Sequence, residues 1–166
     1  KMVLSFLTPG VFIGIYAVSS FVCMIIIAII LGSDIGIGDS WSIPLKNGYE
    51  LTSVDTPEYA NINSRNDPLK ENLIDEITHI QVVGDSVIGK EADGNYFIFN
   101  LKNGDKEDNL SYQNLTIKMK SRSITLVNND TYYWEQRKVP YIIAGIFCLL
   151  ITILAIKTFW RIALIY

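Results

Sequence analysis

The chain has 166 residues, 49% of them hydrophobic and 19% charged, and a formal net charge of −3 at pH 7. The charges are segregated, because all 17 acidic and 11 of the 14 basic residues lie between Asp34 and Lys138, and only Lys1, Lys157 and Arg161 lie outside. An acidic middle lacks the concentrated basic patch that neutralises phosphates, which excludes a nucleic-acid-binding protein. A polar centre between two apolar ends predicts a membrane protein with one small domain.

Residues 11–31 form an apolar run without a charged side chain. At about 1.5 Å per residue, a helix of this length covers roughly 30 Å, the thickness of the hydrocarbon core of a bilayer. A cleaved signal peptide is the alternative, since Lys1 precedes the run, but its apolar region would hold about 7–15 residues and an A-x-A-like site would follow. We therefore predict an N-terminal segment, 1–10, and an uncleaved transmembrane helix over residues 11–32.

A second uncharged apolar run covers residues 139–156. Pro140 suits the first turn of a helix, where its missing N–H is not needed. Two such runs in so small a chain would have no soluble core in which to be buried. We predict a second transmembrane helix over residues 139–160, followed by a C-terminal tail, 161–166.

The ends of this second helix carry residues typical of a membrane–water interface. Aromatic rings lie at the level of the headgroups, and long cationic side chains extend to the same level. The predicted interface anchors are Tyr141, Lys157, Trp160 and Arg161.

Small residues on both predicted helices indicate faces suited to helix packing, because they let backbones approach closely. Gly10 and Gly14 form a G-x-x-x-G motif, and Ala144, Cys148 and Thr152 recur at a spacing of four. We expect the two helices to pack on each other through these residues. Contact with a partner membrane protein, or with a second copy in a homo-oligomer, is left open.

The two cysteines, Cys23 and Cys148, lie one in each apolar run. The middle of the chain therefore has neither a disulfide framework nor a cysteine-based zinc site. We interpret both cysteines as small apolar side chains that face lipid or a neighbouring helix.

The segment "GSDIGIGDS" follows the first predicted helix and contains a G-x-G motif. A phosphate-binding loop requires a strand before the glycines and a helix after them, and here a membrane helix comes first. We predict a flexible linker over residues 33–40, followed by a β-rich extramembrane domain over residues 41–138.

Strand signals are dense within this domain. A strand is predicted over residues 49–54, after the turn pair Asn47-Gly48. Residues 77–83, 87–88 and 95–100 are separated by the turn pairs Gly84-Asp85 and Asp93-Gly94, which predicts a three-stranded antiparallel meander.

The last third of the domain is harder to assign. Residues 109–120 fit either a helix or a strand, and we favour a short helix capped by Asp108 or Asn109. A final hairpin is predicted from residues 123–127 and 131–134. The predicted fold class is thus a membrane protein with two transmembrane α-helices flanking a small β-rich domain, either α+β or all-β, built on an antiparallel meander.

The strand "NYFIFN" is apolar on both faces, with Tyr96 and Ile98 on one face and Phe97 and Phe99 on the other. A strand of this kind is either central in a packed sheet or has one face meant for a partner.

Catalytic chemistry has little support in the sequence. His79 is the only histidine, it lies on a predicted strand, and no G-x-S-x-G motif accompanies it. A carboxylate pair is the remaining option, and its candidates are Asp75, Glu76, Glu91 and Asp93. We interpret each of them as a solvated surface charge and predict no catalytic residue, cofactor or metal.

The loop "NGDKEDN" offers Asp105, Glu107 and Asp108, but their spacing does not match a calcium-binding loop. Transport also lacks support, because neither predicted helix carries an ionisable residue at its centre.

The leading hypothesis is a non-enzymatic two-pass membrane protein whose β-rich domain binds a protein partner at the membrane surface. The expected role is that of an immunity or inhibitor protein against a toxin, or of an accessory subunit of a membrane complex. One alternative is a membrane-anchored hydrolase that uses a carboxylate pair. The other is an envelope sensor, which would need a cytoplasmic output for which the visible termini are short.

The expected location is the bacterial inner membrane, with both termini in the cytoplasm and the domain on the extracytoplasmic side. Lys1, Lys157 and Arg161 favour this orientation under the positive-inside rule. Arg137 and Lys138 oppose it, but long loops translocate largely regardless of their charge.

Overall fold

The computed structural model describes residues 2–35, 40–54, 58–67, 72–120 and 123–163. It contains a long N-terminal helix, an antiparallel sheet and a long C-terminal helix. The helices are α1 (Met2–Leu31), α2 (Tyr112–Lys118) and α3 (Asn129–Ala163). The strands are β1 (Trp41–Pro44), β2 (Tyr49–Ser53), β3 (Ala60–Ser64), β4 (Ile74–Val83), β5 (Ser86–Glu91), β6 (Tyr96–Asn100), β7 (Lys106–Leu110) and β8 (Val127–Asn128).

The chain divides into two compact units. One comprises α1 together with α3 from Arg137 onward, and the other is Gly32–Gln136. Two stretches are long and apolar enough to cross a membrane, Thr8–Leu31 and Asn129–Ile162. Residues 36–39 of the predicted linker and residues 164–166 of the predicted tail lie outside the described part of the chain.

The sheet of the Gly32–Gln136 unit is an antiparallel meander in which β1 to β7 follow one another in chain order. The predicted three-stranded meander is confirmed as β4, β5 and β6. Strand β4 is twice as long as its neighbour β3, which pairs only with its first half. The short strand β8 pairs with the remainder through His79↔Asn128 and Ile80↔Val127.

The main core lies on one face of the sheet. Strands from both ends of the sheet contribute to it. The rings of Tyr49 on β2 and Phe99 on β6 meet edge to face with centroids 5.0 Å apart, although three strands separate them in the sheet. The sheet is therefore strongly curled. Its buried residues are Ile43, Leu51, Ala60, Ile62, Ile74, Ile77, Ile80, Val87, Phe97, Phe99 and Leu101.

A second, smaller cluster lies on the opposite face of the meander. Leu115 of α2 and Met119, the residue directly after α2, pack there with Ile88 of β5, and Ile98 of β6 lies against this cluster. Both faces of β6 are thus covered within the domain. The two-faced apolar pattern of "NYFIFN" is that of a central strand.

Helix α2 is the short helix favoured by the sequence, and its cap is Ser111 rather than Asp108 or Asn109. The Ser111 hydroxyl accepts a hydrogen bond from the Asn114 amide, 3.3 Å away. Asp108 and Asn109 instead belong to β7, an edge strand in a stretch that was predicted to be a loop.

Replacing Ser111 with alanine should destabilise the domain by about 1 kcal/mol, because the amide of Asn114 loses its acceptor. The matched control is Ser111→Asn, which keeps an accepting oxygen. Thermal unfolding followed by tryptophan fluorescence should show a lower midpoint for Ser111→Ala only. Equal midpoints for the two variants would contradict the capping role.

The predicted final hairpin is wrong. Val127 and Asn128 form the two-residue strand β8, and the residues expected as its second strand, Thr131 to Trp134, form the first turns of α3. Tyr132 and Tyr133 still pack against the main core, but from a helix. Helix α3 therefore begins ten residues before the predicted start of the second apolar helix and continues without interruption to Ala163.

Candidate functional site

Five acidic side chains line a small cleft at one end of the sheet, which we call the acidic cleft. Its volume is about 230 Å³. The residues come from the start of β4, the end of β5, the turn after β5, and β7. They are Asp75, Glu76, Glu91, Asp93, Lys106, Asp108 and Asn109.

Backbone and side-chain hydrogen bonds hold these segments together. The Ala92 amide donates to the Glu76 carbonyl oxygen at 2.9 Å, which joins the end of β5 to the start of β4. Asp93 accepts from the amide and the side chain of Asn95, at 2.9 and 2.7 Å. Asn95 in turn donates to the side-chain oxygen of Asn109, 3.2 Å away on β7.

The two ends of the acidic cleft differ in their electrostatics. Burial raises the pKa of Glu91, and the neighbouring carboxylates of Asp93, Asp108 and Asp75 raise it further, whereas Lys106 opposes them. The pKa of Asp108 is lowered, because the ammonium group of Lys106 lies 2.9 Å from its carboxylate. One cleft thus holds a carboxyl group that resists ionisation beside one that ionises readily.

Replacing Glu91 with glutamine should stabilise the domain at neutral pH, because it removes a carboxylate whose ionisation is disfavoured in the folded state. Solvent screening limits this gain to about 1 kcal/mol. The folded pKa lies above the unfolded one, so the folded state binds more protons and the wild type loses stability as pH rises through that interval. The variant should lack this loss. Thermal midpoints measured from pH 4 to 8 should therefore diverge above the ordinary glutamate pKa of 4.5 and coincide below it.

The matched control is Asp105→Asn, which removes a carboxylate outside the acidic cleft. The divergence from the wild type that is expected for Glu91→Gln should not appear in Asp105→Asn, because this carboxylate does not line the acidic cleft. A Glu91→Gln curve that also runs parallel to the wild type would contradict the raised pKa.

The other sequence candidates lie apart from the acidic cleft. His79 is half-buried on β4, with its Nδ1 atom 3.1 Å from the Thr78 hydroxyl. Asp105 accepts a bond from the Asn103 side chain in the turn before β7, and Glu107 pairs with Lys118 of α2. Within the residues that the structure describes, no group of three or more His, Cys, Asp or Glu side chains is arranged to hold a metal ion.

The first and last strands of the β1–β7 order are protected against strand addition. On β1, the outward-facing amide of Ser42 donates to Asp34 Oδ1 at 3.0 Å, and the next outward position is Pro44, which has no N–H. On β7 the residues Lys106, Glu107 and Asp108 are charged and exposed, and charges of this kind protect an edge. These two strands therefore present side chains rather than free backbone groups.

The predicted packing residues of the second apolar helix lie on its side facing α1. Cys148 and Thr152 are fully buried, and Ala144 is half-buried. Gly10 and Gly14 of α1 are exposed, and a Cβ atom added at either would meet nothing within 4 Å.

Three of the predicted interface anchors are exposed or half-buried at the C-terminal end of α3, namely Lys157, Trp160 and Arg161. The fourth, Tyr141, lies one turn after Arg137. Its hydroxyl accepts a hydrogen bond from the Arg137 guanidinium at 3.0 Å.

A second small cavity, which we call the polar cavity, lies between α1 and α3 and was not predicted. Its volume is about 190 Å³, and it is lined by Tyr16, Ser20, Cys23, Tyr141 and Cys148, among others. The helical spacing of Tyr16, Ser20 and Cys23 was a signal in the sequence, since it places three polar or sulfur groups on one face of α1.

The chain matches no protein-family model, no curated protein and no solved structure.

Proposed function

We propose that the chain is a non-enzymatic two-pass membrane protein whose β-rich domain binds a protein partner at the membrane surface. Its role would be that of an immunity or inhibitor protein against a toxin, or of an accessory subunit of a membrane complex. The observation that carries the proposal is a domain with its own core placed in the chain between two helices that are each apolar enough to span a bilayer. A domain joined to both helices stays at the bilayer, where membrane-bound partners are found.

The acidic cleft is the surface we assign to the partner. It concentrates five acidic side chains against one lysine, whereas the edge strands β1 and β7 are protected against strand addition. Complementary charge steers association and selects among partners, so the partner should present a basic surface. We further propose that the membrane is a bacterial inner membrane, with the domain extracytoplasmic and both termini cytoplasmic.

Affinity purification from membranes in a mild detergent tests the proposal. The cleft variant is Asp75→Asn combined with Glu91→Gln, and the control is Asp130→Asn, which removes one exposed carboxylate outside the cleft. We expect a stoichiometric partner with the wild type and the control, and its loss from the cleft variant at moderate salt. Recovery of the wild type without a partner across several detergents would contradict the proposal.

A second candidate is a membrane-anchored hydrolase that uses a carboxylate pair, and the contrast between Glu91 and Asp108 favours it. Acid–base catalysis needs one carboxyl group that stays protonated and one that is ionised, and the pKa values of these two side chains are shifted in those directions. Nitrophenyl glycosides assayed between about pH 4 and 8 test this candidate. Hydrolysis by the wild type that is lost in Glu91→Gln would support it, and equal rates for the two proteins would contradict it.

A further inference from the structure

The two cysteines of the chain, 125 positions apart, meet between α1 and α3. The thiol of Cys148 donates a hydrogen bond to the sulfur of Cys23, and the two sulfurs are 3.2 Å apart. Cys148 is 1% exposed, whereas Cys23 is half-buried. A reagent that approaches from outside the helix pair therefore reaches Cys23 first. Cys148 lies behind Cys23 and is in contact with it.

Cys23 lines two cavities, and residues with hydroxyl groups line only one of them. On one side is the polar cavity, with the hydroxyl groups of Tyr16, Ser20 and Tyr141. On the other side is an apolar groove of about 460 Å³, whose lining includes Ile27, Ile143 and Phe147. A molecule with a polar head and a hydrocarbon tail fits this pair of cavities, with its head at the sulfur.

Ser20 supplies an independent indication of a polar ligand. Its hydroxyl oxygen is shielded from solvent and has no hydrogen-bond partner among the residues that the structure describes. Ser19, the neighbouring residue, bonds the carbonyl oxygen of Tyr16 at 3.0 Å instead. A buried hydroxyl without a partner is costly, and a polar group held in the polar cavity would satisfy it.

We propose that Cys23 and Cys148 form a two-thiol site that reduces an alkyl hydroperoxide, with the hydroperoxide group in the polar cavity and the alkyl chain in the apolar groove. This proposal depends on the proposed membrane placement in one respect only, which is that its oxidant is soluble in lipid. Cys23 is the residue that the hydroperoxide oxidises, and Cys148 is the resolving residue.

The reaction has two balanced steps. The Cys23 sulfur attacks the terminal oxygen of the hydroperoxide, the O–O bond breaks, and the leaving alkoxide takes the thiol proton as an alcohol. Cys23 then carries a sulfenic acid, which condenses with a neighbouring thiol. The Cys148 sulfur attacks it, the S–S bond forms, the S–O bond breaks, and hydroxide leaves with the Cys148 proton as water.

One hydroperoxide thus gains two electrons and becomes an alcohol, while two thiols become a disulfide that joins α1 to α3. One pair of thiols reduces one hydroperoxide, which is compatible with a binding protein. Its chemical output is a covalent link between the two helices.

The test uses the full chain in detergent micelles, reduced and then treated with one equivalent of cumene hydroperoxide. We expect the intact mass to fall by two hydrogens and one cumyl alcohol to form per protein. Proteolysis within the domain should leave the α1 and α3 fragments joined until a reductant is added. In Cys148→Ser, dimedone should label Cys23, whereas Cys23→Ser should take no label.

The variant Ser20→Ala should form the disulfide about tenfold more slowly, as expected for the loss of roughly one hydrogen bond to the reacting group. The control Ser19→Ala should react like the wild type. Two thiols that both remain alkylatable after treatment, or equal labelling of Cys148 in Cys23→Ser, would overturn the proposal. No partner protein takes part, so failure to recover a partner leaves this result unaffected.

Discussion

Replacing Gly89 with alanine should destabilise the β-rich domain by about 1–3 kcal/mol, the usual cost of forcing extra volume into a packed core. Gly89 is buried in the middle of β5, paired with Phe97 on β6 and Ile80 on β4. A Cβ atom there would lie 2.5 Å from the His79 carbonyl oxygen and 2.5 Å from the Phe97 ring. The backbone contact cannot be relieved by a side-chain rotation, so the strand itself has to move.

Thermal unfolding of the full chain in detergent, followed by the fluorescence of Trp41 and Trp134, checks this result. Each kcal/mol lost should lower the midpoint by about 4–8 °C for a domain of this size. The control is Gly145→Ala, where the nearest atom to the new Cβ is 3.8 Å away and no loss is expected. An unchanged midpoint for Gly89→Ala would contradict the close approach of β4, β5 and β6.

A double-mutant cycle with Phe97→Leu separates the two contacts of the added methyl group. Shrinking the ring relieves only the contact with Phe97 and leaves the contact with the His79 carbonyl oxygen. The Gly89→Ala change should therefore cost less in the Phe97→Leu background than beside the native ring, but it should still destabilise the domain. Strict additivity of the two changes would show that the ring is not the neighbour of Gly89.

Replacing Asn129 with aspartate should destabilise the domain more than Gly89→Ala does. Asn129 is 1% exposed, and its amide nitrogen donates to the carbonyl oxygens of Ile77 at 2.5 Å and Glu58 at 3.0 Å. A carboxylate would face both oxygens without a proton to donate. An uncompensated buried charge costs about 3–5 kcal/mol.

The loss should depend on pH in a defined direction. Because burial disfavours the charged form of a carboxyl group, its folded pKa lies above the unfolded value. The variant should therefore recover stability as pH falls and lose it as pH rises through that interval. Thermal midpoints between about pH 5 and 8 measure this dependence.

The neighbouring substitution Asn128→Asp is a matched control. Asn128 is exposed, and its side-chain oxygen accepts from the Thr131 amide at 2.7 Å. A carboxylate keeps this bond and lies favourably at the start of α3. Equal losses for the two aspartate variants would show that Asn129 is not the buried donor that joins α3 to β4.

The central meander was predictable because its sequence signals are local and agree with the packing. Turn residues separate the three runs, and the glycines at two of these turns adopt positive φ, 69° at Gly84 and 92° at Gly94. Glycine adopts this backbone conformation at little cost. The alternation of Phe97 and Phe99 with Ile98 likewise places side chains on two faces in any strand.

Strand β3 was missed for the opposite reason. Its "ANINS" sequence is rich in asparagine, which disfavours strands on its own. In the structure Ala60 and Ile62 face the core, while Asn61 and Asn63 bond to the amides of Glu76 and Asn72. Those partners lie 15 and 9 positions away, beyond the reach of a strand pattern.

The wrong hairpin has a similar cause. Thr131, Tyr132 and Tyr133 favour strands by composition, but what the two tyrosines need is burial of their rings. The first turns of α3 bring Tyr133 to within 5.1 Å of the Trp41 ring, between centroids. A helix satisfies that requirement as well as a strand does, and a contact with β1, far away in the chain, is not visible in the local pattern.

The acidic cleft illustrates how much of a site can be predicted from the sequence. Asp75, Glu76, Glu91 and Asp93 were named as candidates but interpreted as separate surface charges. Asp108 was assigned to a different loop, and only the pairing of β6 with β7 brings it beside them. The raised pKa of Glu91 follows from this assembly, because burial and neighbouring charge are properties of the folded surface.

The order of residues was enough to show that two long apolar helices flank a polar, β-rich segment, since hydrophobicity and turn preference are local and survive any arrangement of the chain. The folded arrangement was needed to establish which strands lie at the edges, where α3 begins, and that Cys23 and Cys148 touch. Each of these depends on free energy gained between residues far apart in the chain, which a local pattern of side chains does not encode.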